Sequence, residues 1–251
     1  MKYLLFIVWS LLFCSKLVAQ QSSIVYHPFQ GGFVFAEQEK DLLTGQNLRR
    51  GRLILEANTS VQYKFPVKSR IFLYGGLGYS LKYHTTRHEG TISDIAVHLG
   101  LDNNIPALEA ELNIKNVGHT DHYLTFNSGV EFLLPSSKKK TKSYLFIAVN
   151  LDMLLGTRVD PGFSEPGSWL FSQRVGQSSI DSEIVSFVKD RKHRFLPSIE
   201  FGPKVQFGNL GLNWRFRAYL STLSPAFEMR PIGLLGLAVW EFPINSKHKN
   251  E

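Results

Sequence analysis

The chain has 251 residues, 20% of them charged, a formal net charge of +7 and one cysteine. A single thiol excludes a disulfide framework and a thiolate metal cage. Lys and Arg interleave with Asp and Glu along the whole length, which excludes the one-sided basic face of a nucleic-acid-binding protein.

Residues 1–19 read as a secretion signal. Met1-Lys2 supplies a short positive region, Tyr3 to Phe13 an apolar run, and Ser15-Lys16-Leu17-Val18-Ala19 a small-residue end before Gln20. A membrane anchor needs roughly 20 apolar residues, and this run is shorter and is interrupted by Ser10, Cys14 and Lys16. Phe13 stands where a lipidated cysteine wants a small neighbour, so Cys14 is expected to leave with the signal. Losing Lys2 and Lys16 lowers the charge from +7 to +5. Residues 20–251 are expected to form one domain, since no Pro/Ser-rich linker divides them. None of their windows approaches 18 uninterrupted apolar residues, so membrane insertion must be by strands.

A first strand is predicted near Ser23 to Phe35. The period-two pattern is clear from Leu53, where Leu53, Leu55, Ala57, Thr59, Val61, Tyr63 and Phe65 alternate with Glu56, Asn58, Ser60, Gln62 and Lys64. Side chains alternate across a strand, so one face is greasy and the other polar. After the turn at 66–69, Ile71, Leu73, Leu77, Tyr79, Leu81 and Tyr83 oppose Arg70, Tyr74, Ser80 and Lys82. Gly75, Gly76 and Gly78 within this strand mark the close approach or bend that a small curved barrel requires.

Alternation continues at Ile95 to Leu101, then through the turn 102–106 into Leu108 to Lys115. Leu124 to Leu134 and Leu145 to Met153 come next, separated by Pro135 to Lys142. The segment 158–193 breaks the rhythm. Phe195 to Phe207 and Leu210 to Leu220 resume it around Gly208-Asn209. A last strand near Arg230 to Phe242 is irregular, because Leu235, Leu237 and Val239 fall on its polar side.

Connections at 66–69, 102–106, 135–142 and 207–209 are short, whereas 37–51 and 158–193 are long. His84 to Gly90, Val117 to Thr120 and Leu223 to Glu228 make shorter loops at the same end as the long ones. This points to an all-β, single antiparallel up-and-down transmembrane β-barrel of ten strands, with short periplasmic turns and longer external loops. If 91–116 is an external excursion, the count is eight.

A soluble barrel of lipocalin type shares the alternation with the opposite sense. The polar face decides between them. Glu56, Lys64, Arg70, Lys82, Glu131, Asp152, Glu200, Lys204, Arg215 and Arg217 lie on it, and opposite charges within a narrow cylinder can satisfy one another. Outward Trp214, Phe216, Trp240 and Phe242 fit an aromatic girdle, and such a band in water would be an aggregation hazard.

The signal ending Val18-Ala19-Gln20, the stretch Tyr74-Gly75-Gly76-Leu77-Gly78-Tyr79 and the amphipathic hairpins up to Trp240-Glu241-Phe242 resemble the PorT-like outer-membrane β-barrel proteins of Bacteroidota. The resemblance covers most of the chain after the signal. It implies an envelope location in a Gram-negative outer membrane and insertion by the barrel-assembly machinery, whose signal is an aromatic-rich last strand. Here the chain continues past Phe242 to Glu251. The family carries over no catalytic residues.

Five of the eight histidines, His84, His88, His98, His119 and His122, lie between residues 84 and 122. All but His98 are expected at the outer rim, near Glu89 and Asp121. A histidine oriented by a carboxylate can serve as a general base, so a lipid A or phospholipid hydrolase is the alternative reading. Against it, neither a Gly-x-Ser-x-Gly elbow nor a His-Glu-x-x-His helix occurs. The expectation is therefore an envelope protein with a structural or interaction role and a lumen filled by charge. No catalytic, cofactor-binding or metal residue is named. Lys138 to Lys142 is read as a solvated turn. Membrane lipid is the expected partner, and 158–193 is the preferred place for protein or ligand contact.

Overall fold

The computed structural model describes residues 22–41, 47–87, 114–135, 141–163, 186, 189–224 and 229–244. The expected signal, His88, His98 and Lys138 to Lys140 lie outside them. Eight strands succeed one another in chain order: β1 (Ser23–Lys40), β2 (Asn47–Lys68), β3 (Ile71–Arg87), β4 (Ile114–Leu133), β5 (Thr141–Phe163), β6 (Phe195–Phe207), β7 (Leu210–Tyr219) and β8 (Arg230–Pro243). Each pairs antiparallel with its sequence neighbours, and β8 pairs with β1, so the sheet closes on itself.

The ring therefore holds eight strands, the alternative count, and the count of ten is corrected. β3 and β4 are paired from Ile71↔Phe132 to Arg87↔Asn116, which leaves no place between them for the segments at 95–101 and 108–113. Those segments lie outside the described residues. The expected loops at 84–90 and 117–120 are also corrected in part, because His84 to Arg87 and Val117 to Thr120 are paired strand. Both faces of these strand ends carry polar side chains, so alternation could not extend the assignment.

One end of the barrel carries the tight connections. Ser69-Arg70 joins β2 to β3, and Gly208-Asn209 joins β6 to β7. Gly208 has φ of 60°, the conformation that a two-residue type II′ hairpin demands at its first central position. Ser23 pairs with Pro243 at this same end, so the barrel's first and last strands start and finish here. At the opposite, loop end the wall is uneven. β4 has 20 residues and β5 has 23, whereas β6 has 13 and β7 has 10. A tilted strand crosses a bilayer in roughly 9–11 residues, so β4 and β5 stand well above any apolar band.

The greasy rows face outward. On β2 Leu53, Leu55, Val61 and Tyr63 are exposed while Ile54, Glu56, Gln62 and Lys64 are buried. On β5 Leu145, Ile147, Val149 and Leu151 are exposed while Ala148, Asn150 and Asp152 are buried. A bulge between His27 and Gln30 shifts β1 by one residue, so odd positions face in before it and even positions after it. Such a slip exchanges the two faces of a strand.

On β8 the inward face is apolar as far as Val239, and Glu241 follows it into the lumen. Leu235, Leu237 and Val239 are buried, the last two against Val25 of β1. Trp240 pairs with Tyr26 and Leu210 near the tight-turn end, close to Phe207 and Phe242, and these rings form an aromatic collar there. Trp214 and Phe216 instead sit further along β7, opposite Gly236 and Leu234.

Several glycines let neighbouring strands approach. A Cβ on Gly202 would collide with the Trp214 carbonyl oxygen, and one on Gly76 with that of Val61. In a strongly curved ring the inward Cβ positions crowd, which accounts for the glycines within strands.

Candidate functional site: a charge-filled lumen with a capped mouth

Nine of the ten charged residues expected inside do face the lumen; Arg70 is corrected to the exposed turn between β2 and β3. They are joined by Asp121 and Glu241, and by Lys192, which enters from the connection between β5 and β6. The groups form three layers.

Nearest the tight turns, Lys64 and Lys204 bracket two carboxylates. Lys64 Nζ lies 2.8 Å from Glu131 and 3.2 Å from Glu241, and Lys204 Nζ lies 3.0 and 3.3 Å from the same pair. Ser23 Oγ donates to Glu241 at 2.8 Å. Lys64 also sits 4.5 Å above the Tyr144 ring and 4.6 Å above Phe72, where ring quadrupoles add attraction to a desolvated cation.

In the middle layer Arg217 joins Glu200 to Glu56. Arg215 Nη1 donates to Glu200 at 2.8 Å. Lys82 lies 2.7 Å from Asp152 and 3.3 Å from Glu56. Thr125 and Tyr219 hydroxyls donate to Asp152 and Glu56 at 2.7 and 3.0 Å. Burying an ion costs several kcal/mol unless partners and hydrogen bonds compensate. Strands β2 to β7 together supply both.

The third layer lies under the loop end. Lys192 Nζ donates to Asp121 at 2.7 Å and lies 3.3 Å from His84 Nε2. Burial pulls the Lys192 ammonium below the ordinary lysine range, while the Asp121 carboxylate holds it up. Thr157 Oγ1 also donates to Asp121, at 2.8 Å. The two connections above this layer hold each other, with Ser224 Oγ donating to the Arg191 carbonyl at 2.7 Å and Leu223 and Met229 buried beneath. Across the three layers six basic side chains meet six carboxylates, so these layers are electrically balanced.

The expected rim histidines separate. His84 and His119 turn into the lumen and stack at 4.7 Å with their planes 6° apart, and Thr86 Oγ1 lies 2.8 Å from His119 Nε2. His122 faces outward and hydrogen-bonds Tyr79. Asp121 is next to His122 in sequence but on the opposite face, so it approaches His84 instead, at 3.9 Å. Among the described residues no group of three or more His, Cys, Asp or Glu is arranged to hold a metal. Lys192 is not legible in the sequence, since one lysine in an aperiodic segment carries no positional signal.

No family model and no curated protein matches the chain. Among solved structures, it is similar to the outer membrane enzyme PagL at 10% identity and a TM-score of 0.35, covering 89% of this chain and 99% of that one. It is also similar to Ail, the attachment invasion locus protein of Yersinia pestis, at 12% identity and a TM-score of 0.30, covering 88% and 99%. At these values the likenesses carry no inference about function, and only the residues of this chain can support one.

Proposed function

We propose that this protein is an outer-membrane β-barrel with a structural or interaction role in the envelope of a Gram-negative bacterium, and that it is neither an enzyme nor an open channel. The observation that carries the reading is the pairing of an apolar exterior with an ionised interior in one closed ring. Leu, Val, Phe and Trp rows facing water on every strand would aggregate, whereas hydrocarbon accepts them. In this reading the tight turns face the periplasm and the long connections face outward, residues 1–19 direct export, and the resemblance to PorT-like proteins names the family. The three charge layers leave no broad aqueous path, because each of their six cations is within hydrogen-bond reach of a carboxylate.

Membrane fractionation with heat-modifiable gel migration tests this reading. The folded protein should partition with the outer membrane and shift on boiling. Release with the periplasmic contents would contradict it. In planar bilayers the purified protein should show no large, stable conductance, and such a channel would contradict the filled lumen.

A further inference from the structure

β6 begins at Phe195, opposite Met153, while β5 continues to Phe163. Beyond Met153 the flank of β5 is met by the connection at 189–194, tied on by the Leu154 amide donating to the Arg194 carbonyl at 2.8 Å. Leu155 is the extra residue of a bulge between His122↔Gly156 and Tyr123↔Leu154. The connection then turns inward to send Lys192 to Asp121. Between bulge and connection lies a cleft of about 540 Å³.

Its walls differ in chemistry. Leu155 and Phe195, 57% and 53% exposed, end the apolar rows of β5 and β6. The next outward side chains on β5 are Arg158 and Asp160, paired with each other at 3.1 Å. The cleft thus straddles the boundary between apolar band and water. Its charged lining is Lys189, Asp190, Lys192 and Arg194. Lys192 is matched by Asp121, whereas the side chains of Lys189 and Arg194 make no ion pair among the described residues, and one acid faces these two cations.

We propose that this cleft binds a phosphate-bearing lipid of the outer leaflet, with acyl chain along Leu155 and Phe195 and phosphate between Lys189 and Arg194. Arg supplies a planar fork for phosphate oxygens and Lys a mobile point charge. The apolar wall selects an amphiphile over a free anion. The inference rests on the membrane reading proposed for the barrel, since only there does the cleft meet acyl chains.

The test is native mass spectrometry of the full protein in detergent, titrated with phosphorylated lipid A and with the same lipid after phosphatase treatment. Wild type should bind the phosphorylated form at least about tenfold more tightly than the dephosphorylated one, and Lys189→Ala/Arg194→Ala should lose that preference. Lys68→Ala/Arg70→Ala removes two positive charges at the tight-turn end and should retain it. Equal affinity for both lipids, equal loss in both double variants, or displacement by excess inorganic phosphate alone would overturn the site. All variants are first checked for heat-modifiable migration and outer-membrane fractionation. Failure of the wild type in that check contradicts the membrane reading and this inference together, whereas passing it without phosphate preference overturns the site alone.

Discussion

Lys82 Nζ of β3 and Asp152 Oδ2 of β5 meet at 2.7 Å inside the barrel, across the intervening strand β4. Neither side chain is open to solvent. Removing Asp152 leaves the buried Lys82 with only its 3.3 Å contact to Glu56, a carboxylate already shared with Arg217, and breaking a buried pair in this way costs about 3–5 kcal/mol. Asp152→Ala should therefore lower stability by that order in urea unfolding from vesicles, and Lys82→Met/Asp152→Leu should cost clearly less. Equal losses in the single and double variants would show that the pair is not coupled.

Glycine positions give a second test. Gly202→Ala places a methyl against the Trp214 carbonyl, so strands β6 and β7 must separate, at a cost of about 1–3 kcal/mol. Gly156→Ala meets nothing within 4 Å and should stay within about 0.5 kcal/mol of wild type. Chemical denaturation of the two variants compares them directly.

A charge on the outer face reports its solvent. Val149 lies midway along the outward row of β5, and Phe207 lies at the tight-turn end of β6. In lipid vesicles Val149→Arg should cost about 2–4 kcal/mol and Phe207→Arg about 0–1. If the band faced water, neither would cost more than an ordinary surface change.

The capped mouth makes a prediction about proteolysis. Asp121→Asn removes the carboxylate that receives Lys192, so the connection should undock more often. Trypsin cleavage after Lys189, Arg191 or Arg194 in the folded protein should rise about tenfold or more, the expected response to weakening a buried charge pair by a few kcal/mol. An unchanged cleavage rate would mean that Lys192 does not hold the segment.

Much of the ring is legible because strands buried on one face repeat every two residues. β2, β5, β6 and β7 emerge from Leu53 to Phe65, Leu145 to Met153, Phe195 to Phe207 and Leu210 to Leu220. Where alternation lapses, sequence reading loses its footing. The bulge after His27 exchanges faces, and Pro28 within it marks an interruption without giving the size of the slip, while the outer ends of β3 and β4 are polar on both sides. Inward Leu235 and Leu237 make β8 irregular in phase, yet both are buried, Leu237 against Val25 and Val239 and Leu235 beside Arg215 on the neighbouring strand. The three layers themselves depend on which strand faces which across the barrel. For that reason alternation names nine lumen charges, whereas it cannot give their partners, Lys192 among them.

The most direct measurement is site-directed spin labelling in a Cys14→Ser background, with single cysteines at consecutive positions from Ile147 to Leu151, reconstituted in lipid bilayers. Collision with dissolved oxygen should be high and collision with a water-soluble nickel complex low at 147, 149 and 151, while both should be low at 148 and 150. High nickel accessibility at 147, 149 and 151 would place the apolar rows in water and contradict the membrane barrel.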